Sequence, residues 1–234
     1  VHTTTQKDLA LINVAFQRGN VYELLSHCFW RPSEELFEFI KAGEFLRCIE
    51  EAVAVMPFEG DVIIHLAQRA ARDLRRLGNA AVEAHYDRLD SPKLKLLHEC
   101  MYHNPFSAYE EMADIGAFYR AFGLDWHGER PDHISYELDF MRIAALKEAN
   151  ALRDKMEEPA KITAEAQRKF LESHLGRWAY LLGEVTKDIG FYHPVSSLLD
   201  HWIQRDCDYL EASPDLLQYP VGMLKEVEPG LFGL

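Results

Sequence analysis

The chain has 234 residues, 48% of them hydrophobic, and carries 38 acidic against 25 basic side chains for a formal charge of -13. That length and apolar content suit a packed core and exclude wholesale disorder. The acidic balance excludes a nucleic-acid footprint and adhesion to an anionic membrane surface.

Cys28, Cys48, Cys100 and Cys207 form no CxxC pair. Free thiols in a reducing cytoplasm are expected, rather than a zinc ribbon or a secreted disulfide scaffold. No apolar run reaches membrane-spanning length, and the opening VHTTTQKDLALI has no signal-peptide-like apolar stretch.

The hydrophobic period is helical almost throughout. Leu9, Ile12, Phe16, Tyr22, Leu25 and Phe29 mark a first helix that ends before Arg31-Pro32. A helical region over about 33–56 follows, broken at Gly43, and then one over 61–86 with Ile64, Ala67, Ala71, Leu74 and Leu77 on one face. Ser91-Pro92 reads as the cap and first residue of a short helix running to about His103. Ser107 and Glu110 have the spacing of a capping box for a helix through Met112, Ile115, Phe118, Tyr119 and Phe122, with Gly123 placed to end it. Asp132 is expected to cap the next helix, through Ile134, Leu138, Met141, Ala145 and Leu152.

After a charged linker over 155–162, Thr163 is expected to cap a helix running through Phe170, His174, Trp178 and Val185 to Gly190. Pro194 opens the last helix, and the tail from Ser213, with Pro214, Pro220 and Pro229, is expected to be irregular. Short alternating β-branched runs are missing, so the fold class is all-α, a bundle of about nine to eleven helices. One domain over 1–234 is expected: a helical part over about 6–123, a connector over 124–132, a second helical part over about 133–211, and a tail over 212–234.

Catalytic templates fail in turn. There is no GxGxxG, no GK[ST] loop and no GxSxG elbow. None of the eleven histidines has a glutamate three residues before it, as a di-iron bundle needs. His98, Cys100 and His103 are poorly spaced for a metal, and no metal or cofactor is expected. The junction Gly123 to Met141 holds Asp132 and His133, an acid beside an imidazole. Adjacent helical residues point about 100° apart. The pair makes no dyad by itself, and a cap with a polar first-turn neighbour accounts for it equally well.

The runs MADIGAFYRAFGL (112–124), ERPDHI (129–134) and ELDFM (137–141) resemble the TorD/DmsD/NarJ family of molybdoenzyme maturation chaperones. So do Phe170-Leu171, His174-Leu175, Trp178 and Phe191-Tyr192, and the early Tyr22 to Pro32. The FYRAFGL and ERPDH wording is most similar to the branch serving ethylbenzene, dimethylsulfide, chlorate and selenate enzymes. The stretch His98 to Ser107 departs from that branch.

The resemblance implies a TorD-like cytoplasmic chaperone that is not an enzyme. Its partner would be the precursor of a molybdoenzyme catalytic subunit, bound through its twin-arginine signal peptide and in its apo form until the cofactor is inserted. Asp132 and His133 would form the contact, with Pro131, Glu137 and Arg130 beside them, and Glu137 extending an acidic patch. Glu99, Tyr102, Tyr119, Phe122 and Trp126 would line a pocket; by residue type alone the aromatics suit a core as well. The state would be a monomer or a homodimer swapped at the 123–131 connector. The alternatives are a helical adaptor subunit and a nucleotide-handling enzyme using Asp132 and His133.

Overall fold

The computed structural model describes residues 5–104, 106–128 and 130–218, so Pro105, Glu129, Pro220 and Pro229 lie outside the described residues. Its elements are α1 (Gln6–Phe29), α2 (Glu34–Lys41), α3 (Glu44–Val53), α4 (Asp61–Leu77), α5 (Asn79–Leu89), α6 (Ala108–Ala121), α7 (Ile134–Arg153), α8 (Glu157–Ser173), α9 (Leu175–Trp178), α10 (Leu181–Val185) and α11 (Tyr192–Leu210). A 3-10 turn over Glu99–Met101 precedes α6. Extended pairing among the described residues is limited to one isolated antiparallel bridge, His98 with His133. The fold is all-α.

Helix α1 starts at a full capping box: Thr5 Oγ1 accepts the Asp8 N–H, and the Asp8 carboxylate accepts the Thr5 N–H. Its inner face, with Val21, Tyr22, Leu25 and Phe29, lies against α7. Each such side chain contributes about 1.5–3 kcal/mol by leaving water. Ser26 and Ser135 lock this pair, each hydroxyl donating to the other's carbonyl at 3.1 Å. Helix α7 packs in turn on α8, and α4 packs on α11. The first sequence half is therefore threaded into the second, around one hydrophobic cluster that includes Trp178 and Trp202.

Arg18 is buried at the centre of α1. It donates to Asp206 on α11, to Glu148 on α7 at 3.1 Å and to Gln167 on α8 at 2.7 Å, and Tyr22 Oη donates to Asp206 at 2.6 Å. Burial works against this guanidinium, but the Asp206 and Glu148 charges outweigh it and its pKa is raised.

Several boundaries differ from the sequence expectations. The 61–86 region is two helices, because Gly78 turns between them with φ 81°. Residues 91–98 form turns instead of a helix: Leu96 N–H returns to Leu89 O, and Leu97 O is taken by Ile134 N–H. Ser107 makes no side-chain cap; its hydroxyl donates to Asn104 O. Helix α8 begins at Glu157, and Pro159 falls in the first turn, where N–H groups have no helical partner. Thr163 therefore lies inside α8, donating to Pro159 O and Ala160 O. The helix expected through His174 breaks there, at φ -133° and ψ -100°.

Gly123, with φ 72°, ends α6 as expected, and Leu124 N–H reaches back to Tyr119 O. Residues 213–218 have no regular structure. They are tied down by Ser213 N–H to Glu172, Arg177 Nε to Asp215 O, and Leu217 N–H to Arg177 O.

Candidate functional site

The junction before α7 is held by a paired backbone. Glu99 N–H donates to Asp132 O at 2.9 Å, and Ile134 N–H donates to Leu97 O at 2.8 Å. These bonds bring two segments more than thirty residues apart into contact and fix every charged group around them.

Asp132 is fully buried. Its Oδ1 accepts from Arg130 Nε at 2.9 Å and faces His98 Nδ1 at 3.2 Å; its Oδ2 accepts from Arg130 Nη2 at 2.6 Å and from Cys100 N–H at 3.1 Å. Burial raises its pKa, but the His98 and Arg130 hydrogen bonds outweigh that and hold the carboxyl far below the usual range. Asp132 does not cap α7. His133 is the cap, its Nδ1 accepting the Ser135 N–H at 3.2 Å. The expectation fails because four donors already surround the carboxylate.

His133 lies flat against Trp30, ring centres 5.2 Å apart, and edge-on to His98 at 4.9 Å. Burial and the neighbouring His98 charge push its pKa down to about 3. His98 reaches Asp132 through Nδ1 and Asp90 through Nε2, both at 3.2 Å. Burial lowers its pKa, but these two carboxylates reverse the shift and raise it.

A second network lies on the other side of the 97–102 segment. Glu99, fully buried, meets His103 Nε2 at 2.9 Å and His174 Nδ1 at 3.3 Å. His103 continues to Glu111 at 3.1 Å, and His174 continues to Asp114 at 3.0 Å. Glu137 accepts from Trp178 Nε1 at 3.0 Å. Burial, then the Glu99 charge, push its pKa well above normal. Burial also raises Glu99, but the two histidines outweigh that and keep it low. Glu137 Oε1 and Glu99 Oε2 are buried without a hydrogen-bond partner, and of the two acids Glu137 is the one whose neutral form is favoured. Glu137 therefore does not extend an acidic surface: it is fully buried, because Trp178 and Glu99 hold it inside.

The remaining expected site residues divide by burial. Tyr102 is buried, stacks on Trp178 at 5.2 Å and donates to Leu96 O. Tyr119 is buried and donates to Pro131 O at 3.0 Å. Phe122 packs on Phe140, and Trp126 meets Tyr119 edge-on beneath Arg120. Glu99, Tyr102 and Tyr119 thus belong to the interior and do not line an open pocket, since each is buried inside the fold. Of the groups that meet Asp132, Arg130 reaches solvent, with 33% of its side chain exposed, and Asp125 of the connector is exposed as well.

Among the described residues, two groups have the composition of metal sites: Asp90 with His98 and His133, and Glu99 with Glu111 and His174. In the first, His133 Nδ1 accepts a backbone N–H, so the ring proton sits on Nε2, the atom that would face an ion. In the second, both nitrogens of His174 already meet carboxylates. The hydrogen bonding suits charge networks in both places. The trio of His98, Cys100 and His103 is not assembled: Cys100 Sγ donates to Ala108 O, while the two histidines serve different carboxylates.

The sequence model of the nitrate reductase delta subunit family matches residues 60–182, over half the chain. The chain belongs to the nitrate reductase delta subunit family. Among curated proteins none matches it. As a delta-family protein it is a molybdoenzyme maturation chaperone by class, and the family is not catalytic. The matched span holds both buried networks, from Asp90 to Trp178. Asp90 and Arg18 escaped the sequence reading, and His98 was weighed there only as a metal ligand. Arg18 had left a signal: it interrupts the apolar stripe of Val14, Val21, Tyr22 and Leu25 at helical spacing.

Proposed function

We propose that this delta-family protein is the dedicated cytoplasmic chaperone of one molybdopterin oxidoreductase catalytic subunit of the DMSO-reductase type. It binds the subunit's twin-arginine signal peptide and apo form, and assists cofactor insertion before export. The observation that carries this reading is the family match over residues 60–182. The charge of -13 supports it, since an arginine-rich leader seeks an acidic surface. The FYRAFGL and ERPDH wording favours a client of the ethylbenzene, dimethylsulfide, chlorate or selenate type.

In this reading Asp132, His133, Pro131 and Glu137 act by shaping the junction from inside, and Arg130, paired with Asp132, holds its outer edge. The test is co-expression with a tagged catalytic subunit. The chain should co-purify with the cofactor-free precursor and be absent from the mature enzyme. Stable retention in the mature enzyme would overturn the proposal in favour of an adaptor subunit.

A further inference from the structure

The first half of α6 is thinly packed. Over residues 108–115, Ile115 is the one buried side chain. The second half is held firmly: Phe118 meets Phe140 and Phe170 edge-on, and Tyr119 Oη donates to Pro131 O. Lys147 Nζ also donates to Phe122 O. Gly116 stands between the halves, where an added Cβ would lie 2.8 Å from the Trp126 ring.

Charge ties the first half down. His103 spans Glu99 at 2.9 Å and Glu111 at 3.1 Å. His174 spans the same Glu99 oxygen at 3.3 Å and Asp114 at 3.0 Å. Two histidines thus bridge one buried carboxylate to two carboxylates of α6. A neutral imidazole carries one N–H and donates to one partner, whereas imidazolium donates to both. Each bridge is therefore complete only with its second proton.

The other neighbours of these rings are apolar or neutral. His174 faces Phe118 and Phe170, and behind Glu99 lies the neutral Glu137 of α7, which accepts from Trp178. Burial lowers the His174 pKa, but Glu99 and Asp114 outweigh it and raise it. The remaining polar tie is a thiol bond, Cys100 Sγ to Ala108 O at 3.5 Å.

We propose that the first half of α6 is a proton-held flap, docked while His103 and His174 bridge Glu99 to Glu111 and Asp114. It is freed when the bridges lose their protons. The docked form binds those protons more tightly, so docking weakens as pH rises. A freed segment this short does not persist as a helix by itself. Tyr109 lies on the flap and Phe106 just before it, both exposed. Proton concentration therefore sets how this aromatic pair is presented.

Hydrogen exchange of the full chain, read by mass spectrometry between pH 6 and 9, tests the flap. After correction for the intrinsic rate, protection over 108–115 should fall by up to about tenfold per pH unit for each proton lost. Protection of α7 should stay constant. The double variant Glu111→Gln, Asp114→Asn removes the outer end of both bridges and leaves Glu99 in place. At pH 6 its flap should exchange about tenfold faster than wild type, with no further response to pH. Unchanged protection of α7 shows that it folds. Glu110→Gln, in the same turn but outside the network, should behave as wild type.

Wild-type protection and pH response in the double variant overturn the proposal. So does equal loosening in Glu110→Gln, which assigns the effect to the helix end, or a pH-driven loss shared by α7, which makes it global. Loss of flap protection on adding EDTA at constant pH assigns the latch to a metal ion and overturns it as well.

Discussion

His98 Nδ1 lies 3.2 Å from Asp132 Oδ1, and through this contact the turn before α6 is fastened to the start of α7. The same carboxylate neutralises Arg130 from the other side. One buried oxygen pair thus carries an arginine, a histidine and a backbone N–H.

Asp132→Asn should therefore destabilise the protein by about 3–5 kcal/mol in urea unfolding, because it leaves His98 and Arg130 without their counter-charge. The pH profile should change with it. The raised pKa of His98 gives stability that is full below its unfolded value of about 6.5 and lost as pH rises through the folded value. The variant should show less of that alkaline loss. Equal stability and an identical profile in the two proteins would refute this account of the junction.

His133 titrates with the opposite sign. Its folded pKa of about 3 lies below the unfolded value of about 6.5, so the unfolded chain binds the extra proton as pH falls between them. Wild-type stability should decline there by up to about 1.4 kcal/mol per pH unit. His133→Asn keeps a good capping residue and removes the titration. Its stability between pH 6 and 4 should fall less steeply than that of wild type; parallel curves would contradict a neutral buried imidazole.

Glu137 is an acid kept neutral in the fold, while the unfolded chain ionises it near pH 4.3. Wild type thus loses stability from this group as pH rises above that value. Glu137→Gln should be stabilised relative to wild type, by an amount that grows between pH 5 and pH 8. A gap that shrinks with rising pH would show that Glu137 is not held neutral in the fold.

Arg18→Met should cost about 3–5 kcal/mol, although methionine fits an apolar interior, because Asp206 and Glu148 are left buried without their cation. The added substitutions Asp206→Leu and Glu148→Met should restore much of the loss. Thermal unfolding of the triple variant checks this; no recovery would mean that shape, not charge, dominates the site.

Helices that show one apolar stripe between clear stops were legible. The end of α1 before Arg31-Pro32 and the turn at Gly123 follow from proline and glycine chemistry. What the sequence hid were contacts between distant residues. Asp132 has the type and place of a cap, but its role is decided by His98 and Cys100, some thirty positions away. Glu137 was expected to extend an acidic patch because nothing local shows that Trp178 reaches its carboxyl. Thr163 looked like a helix start because a proline precedes it, and a first-turn proline needs no cap after it. The resemblance pointed to the junction before α7, and geometry reassigned the parts within it.

The reciprocal hydroxyl bonds between Ser26 and Ser135 span 109 positions of chain. A ribosome releases α1 well before it has made the helix that α1 lies on. Until α7 emerges, the face of α1 that α7 covers has no native partner. The order of synthesis runs against the order of burial, so the first helix made waits for a late partner before it settles.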